Sequence, residues 1–215
     1  MKNTATYYNS LEEKINIITH AFGMFASLIA LILLVDKSNS TGNIWHVLSF
    51  TVFGISLIVL YTASTLYHNA KKLKLRKRLN VFDHASIYVL IAGTYTPFTL
   101  VTLRGKVGWW IFGINWFFAL AGIILKLFFT GKYDKLSTIM YVLMGWIIIL
   151  AIKPLINNLG FEGSLWLLFG GILYTIGAIF YSIPKIKYNH AIFHVFVLLG
   201  SFAHFISIYH YVILT

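Results

Sequence analysis

A chain that repeatedly runs for about twenty residues without Asp, Glu, Lys or Arg has few ways to fold, because about 20 apolar residues in a helix span the roughly 30 Å hydrocarbon core of a bilayer. Seven such runs follow one another here: 15–35, 44–67, 81–103, 107–125, 136–152, 165–183 and 191–214, of which only the third carries an acid, Asp83. Just 11% of the 215 residues are charged. That is far below the roughly 25% with which a water-soluble domain covers its surface, so a soluble globular fold is excluded. The runs are apolar on every face and lack the two-residue alternation of a membrane β-barrel. The expectation is an all-α membrane protein: one domain over 1–215, with seven transmembrane helices and short connections, placed as a multi-pass protein in the plasma or inner membrane.

The basic residues set an orientation. Lys2, Lys14, the six of 71–78, Lys126, Lys132, Lys135, Lys185 and Lys187 share one side, a total of 13, against Lys37, Arg104, Lys106 and Lys153 on the other, a total of 4. The side richer in Lys and Arg is cytoplasmic, which puts the N-terminus inside and, after seven spans, the C-terminus outside. The formal net charge of +11 is thereby explained by topology, with the 71–78 segment also suited to anionic lipid headgroups. No nucleic-acid partner is expected. Glu12 and Glu13 precede the first run and no small-residue cleavage site follows it, so that run reads as a retained helix.

Without cysteine, a metal would have to sit on histidine and carboxylate. Polar residues inside hydrocarbon are costly and ask for a reason. His68 ends the second run, Asp83 begins the third, and His190 and His194 begin the seventh, so four potential ligands meet at one cytoplasmic-side level. His190 and His194 are i and i+4, on one helix face and about 6 Å apart along the axis. Ser64 is likewise one turn from His68. Three histidines and a water would form an open, catalytic type of zinc site, with Asp83 either holding that water or serving as a fourth ligand. The i, i+4 spacing argues against haem, since both imidazoles lie on the same side of any ring.

The segments EEKINIITHAFG (12–23), STLYH (64–68), FDHASIYVLIAGTYTPF (82–98) and NHAIFHVFVLLGSFAH (189–204) resemble the haemolysin III family. That family is the bacterial branch of the progestin and adipoQ receptor (PAQR) superfamily and is distantly related to the alkaline ceramidases. The resemblance extends to MGWIIILAIKP (144–154) and GGILYTIGAIFY (170–181), nearly the whole chain. It implies a seven-helix fold with zinc held on the cytoplasmic side by His68, His190 and His194, Asp83 on the metal-bound water, and Ser64 as a hydrogen-bonding neighbour.

Glu13, Asn16 and His20 open the first run in a family-like pattern that suits helix capping and the interface as well as catalysis. His84 and His204 are rotated away from the ligand faces and read as structural, His46 and His210 as interfacial, and Gly93, Gly122 and Gly145 as close-packing positions between helices. The leading functional expectation is a zinc-dependent hydrolase of a lipid amide or ester, with membrane lipids as substrate or ligand and a role in lipid homeostasis. Beside it stands a non-enzymatic sensor of membrane state with a structural zinc. Cytolysis is the third, with little support from amphipathic sequence.

Overall fold

In a membrane, apolar side chains face lipid and the polar ones must find partners inside the bundle, so a helix buries its polar stripe. The computed structural model, which describes residues 6–212, shows this in α1 (Ser10–Asn39): Glu12, Asn16, His20, Gly23 and Ser27 recur at helical spacing and are buried. Ile18 and Ile32, on the opposite face, are 67% and 68% exposed. Asn9 caps the helix by accepting from the Glu12 N–H at 2.9 Å. Lys2 and the end of the expected seventh span, 213–214, lie outside the described residues.

The other helices are α2 (Ile44–Asn69), α3 (Leu73–Pro97), α4 (Lys106–Phe129), α5 (Asp134–Trp146), α6 (Ile152–Tyr181) and α7 (Asn189–Tyr211), with no strand among the described residues. α3 begins eight residues before the expected 81, so most of the basic 71–78 segment is helix rather than loop. Arg76 explains the early start. Its guanidinium donates to the Tyr67, His68 and Ala70 carbonyls at 3.1–3.3 Å, satisfying the C-terminus of α2 and leaving only a tight connection between the two helices. α3 is the enclosed centre of the bundle, packed on α2, α4 and α5. Its Thr94 and Thr96 hydroxyls bond back to the carbonyls four residues earlier. Gly93 and Gly122 allow close approach, since a Cβ on either would overlap Ser56 or the Tyr88 ring. Gly145 does not belong with them: a Cβ there would meet nothing within 4 Å.

Six helical stretches are long and apolar enough to cross a membrane, where the sequence shows seven apolar runs. The difference lies in 134–181, where helical geometry continues for 48 residues and no loop forms at 153–164. Pro154 has no N–H for the Leu150 carbonyl, and the backbone tightens to a 3-10 turn over Ile147–Ala151. The Tyr95 hydroxyl accepts from the Ile148 N–H at 3.1 Å and donates to the Gly145 carbonyl at 2.7 Å, repairing that break. A second break falls at Gly160, whose φ of 77° suits only a residue without Cβ. Asp134 meets Lys126 at 2.9 Å at the basic end of the bundle. Asn158 donates to the Thr102 carbonyl and Ser207 to the Gly163 carbonyl, each at 2.8 Å, at the other end. Tyr181 returns to His190.

Candidate metal centre

The last turn of α2 and the first turns of α7 converge at the basic end of the bundle. His190 Nε2 lies 3.2 Å from His68 Nε2 and 3.0 Å from His194 Nε2. The three histidines are buried, and their ligand atoms all lie within 4.8 Å of one another. Bonds of about 2.0–2.1 Å to a tetrahedral zinc would set neighbouring nitrogens roughly 3.3 Å apart. The spacing therefore fits one shared cation, which also relieves the facing of three imidazole nitrogens on one point.

The protonation of His68 follows from its partner. Its Nδ1 lies 2.8 Å from Glu13 Oε2, and a carboxylate only accepts, so Nδ1 carries the proton and Nε2 presents its lone pair to the centre. Glu13 also accepts from the Tyr8 backbone N–H at 3.1 Å and pairs with Arg76. One carboxylate thus ties the start of α1 to α2 and α3. His20 stacks on His194 with ring centroids 3.6 Å apart, and Tyr8 stacks on His190 at 4.5 Å. Burial pushes the Tyr8 phenol above its ordinary range, so it stays a neutral hydroxyl. Asn16 Nδ2 comes within 3.4 Å of His68 Nδ1.

Asp83 is buried but stands outside the three-histidine group. It lines an apolar cavity between α3, α5, α6 and α7, together with His190, His194, Tyr141 and Tyr181, and its carboxylate is 3.8 Å from His84 Nδ1. The cavity extends from this polar end to Leu155 and Leu167. Ser64 is buried one turn from His68, and its hydroxyl has no hydrogen-bond partner among the described residues.

Glu13, Asn16 and His20 belong to the centre itself rather than to the membrane interface. Their spacing of three and four residues puts them on one face of α1, a signal that precedes any structure. His84 donates from Nδ1 to the Asn80 carbonyl at 2.8 Å and also reaches the cavity wall. His46 is buried against Phe50, whereas His210 is exposed. If Glu13 fixes the His68 tautomer, Glu13→Gln should weaken zinc binding about tenfold, measured by competition with a chromogenic chelator. An unchanged affinity would mean that His68 needs no carboxylate.

The sequence matches the profile of the family described as Haemolysin-III related over residues 8–205. Hemolysin-3 of Bacillus cereus is 48% identical over 204 residues, covering 95% of this chain and 93% of that protein. The Hemolysin-3 homolog of Bacillus subtilis is 46% identical, covering 93% and 94%. The human Monocyte to macrophage differentiation factor is 29% identical over 93% of this chain and 84% of its own length. The matched region contains every residue of the centre.

Proposed function

The chain belongs to the Haemolysin-III related family of multi-pass membrane proteins, within the wider PAQR superfamily, and we propose that it is a zinc-dependent hydrolase of a membrane lipid amide or ester. The observation that carries this reading is that two of the three clustered histidines, His190 and His194, line an apolar cavity with Asp83 on its wall. A chain of lipid dimensions would lie along the cavity and bring its carbonyl to the histidines.

His68, His190 and His194 would hold the ion, in a donor set that suits zinc. When bound, zinc polarises a carbonyl and lowers the pKa of water. Asp83 would accept a proton from water as the water oxygen attacks the carbonyl carbon. It would then return that proton to the departing amine or alcohol as the C–N or C–O bond breaks. Its place outside the ligand cluster suits a proton carrier better than a fourth ligand. Ser64, buried one turn from His68 with an unpartnered hydroxyl, would serve as a hydrogen-bonding neighbour of the centre. Purified protein in lipid nanodiscs should release fatty acid from at least one member of a panel of N-acyl sphingoid bases, lysophospholipids and acylglycerols. Chelation should stop the release and added zinc restore it. A panel with no metal-dependent cleavage overturns the proposal.

A second reading, a membrane-state regulator whose zinc clamps α2 to α7, is favoured by the stacking of His20 and Tyr8 on the ligand rings. Under it the centre is closed and no lipid is consumed.

The seven-span topology is part of the same proposal. A 48-residue helical stretch would be about 72 Å long if straight, more than twice the hydrocarbon thickness. Gly160 is where it would turn back, because Asn158 and Gly163 meet Thr102 and Ser207 at the end opposite Asp134 and Tyr181. With the basic end cytoplasmic, a reporter fused after Thr215 should be extracytoplasmic and a tag at Met1 cytoplasmic. A cytoplasmic C-terminus would mean six crossings.

A further inference from the structure

A metal-ligating imidazole usually donates its outer N–H to a fixed acceptor, which sets the plane of the ring. His68 has Glu13 for this purpose, 2.8 Å from its Nδ1. The Nδ1 of His190 has no hydrogen-bond partner among the described residues. What His190 has is a flat neighbour: the Tyr8 ring lies against it with centroids 4.5 Å apart and planes 21° apart. His20 covers His194 in the same manner, with planes 11° apart, and is fixed by the buried stripe of α1. Tyr8 precedes the Asn9 cap, so no helix holds it in place.

Other contacts do. The Tyr8 backbone N–H donates to Glu13 Oε1 at 3.1 Å. Two residues earlier, the Thr6 carbonyl accepts from Arg76 Nε at 3.1 Å, from Arg76 Nη2 at 2.8 Å and from the Tyr67 hydroxyl at 3.2 Å. The Tyr7 ring lies over the same guanidinium, 4.3 Å from Cζ to centroid. Arg76 is buried, and a planar guanidinium with its donors engaged is a rigid peg. Residues 6–8 thus form a strap across the basic end of the bundle, pinned to the residue that closes α2. The strap also passes close to His68, whose ring centroid is 5.8 Å from that of Tyr8. Neither Tyr8 nor His68 takes part in the cavity lining, which meets the centre at His190 and His194. The centre therefore has the cavity on one flank and the strap on another.

We propose that Tyr8 is a positioning residue of the metal centre: its ring face sets the plane of His190, and the strap that carries it slows escape of the ion toward the cytoplasmic side. The flat face is what acts, so a phenyl ring should serve as well as a phenol. The proposal rests on the reading of His68, His190 and His194 as zinc ligands, and adds to it a residue that touches no metal.

The test reads metal release, so it does not depend on turnover. Full-length protein in nanodiscs is loaded with zinc, and release is followed with an excess of a chromogenic chelator. Tyr8→Leu keeps apolar bulk without a flat face and should release zinc about tenfold faster, the scale on which metal sites respond to loss of a group that orients a ligand. Tyr8→Phe should release it at the wild-type rate. Tyr67→Phe, which removes one bond to the Thr6 carbonyl, should fall between the two. With cobalt(II) in place of zinc, Tyr8→Leu should change the visible d–d absorption and Tyr8→Phe should not. The metal-free proteins should melt together. Wild-type release and spectrum in Tyr8→Leu, or equal acceleration in Tyr8→Phe, would overturn the proposal and leave the ligand set standing. A lower Tm of metal-free Tyr8→Leu would make Tyr8 a general structural residue and overturn it as well. Wild-type protein that binds neither zinc nor cobalt would overturn both the proposal and the ligand set.

Discussion

Replacing His194 with alanine should abolish zinc binding, taking the zinc expected to co-purify under the proposal from one per chain to none. The mutation removes one of three nitrogens packed 3.0–3.2 Å apart in sequence order around the centre, and two imidazoles alone do not make a closed or a catalytic zinc site. It also removes the surface on which His20 stacks. Since the ion would bridge α2 and α7 and bind only the native arrangement, its loss should lower the Tm by about 5–10 °C at zinc concentrations near a hundred times the Kd. His204→Ala is the control: it lies on the same helix and in the same cavity, but outside the ligand group, and should keep a full complement of zinc. Metal analysis with a thermal melt on both variants decides the matter. Equal loss from both would point to general disruption of α7 and away from the three-histidine set.

The centre was legible in the sequence to the extent that its geometry is local. His190 and His194 sit one turn apart on any helix, and the apolar runs fix which ends of those helices share a level. The parts that were not legible depend on contacts between distant residues. Glu13 reaches His68 across 55 positions, and no periodicity in either helix announces that pairing, although the polar stripe Glu12, Asn16, His20, Gly23 and Ser27 does mark the inward face of α1. Arg76 is hidden among six basic residues whose sum explains orientation. Its individual role, closing the end of α2 while pairing with Glu13, depends on where the α2–α3 connection places it. Hydropathy separated 136–152 from 165–183 because Lys153 and Glu162 interrupt the apolar pattern. The backbone keeps helical geometry between them because unpaired peptide groups are costly near lipid, and it yields only at the 3-10 turn and at Gly160.

Asp83→Asn separates the enzyme from the regulator. Asparagine keeps the shape and much of the hydrogen-bonding capacity of aspartate but cannot take up a proton, and the buried position beside His84 needs no repacking to accept it. Because Asp83 is not one of the three converging ligands, the variant should bind zinc and melt like the wild type. If Asp83 carries the proton from water to the leaving group, hydrolysis of whichever lipid the panel identifies should fall by about 10²-fold or more, the scale of general acid–base catalysis. The loss should appear in kcat with little change in KM, since the carboxylate contributes to the transition state and not to holding the chain. A variant that loses zinc together with activity would make Asp83 a ligand. A variant with wild-type hydrolysis would remove Asp83 from the chemistry, and the proton would then have to pass through another cavity-wall group, such as His84, whose Nδ1 lies 3.8 Å from the Asp83 carboxylate.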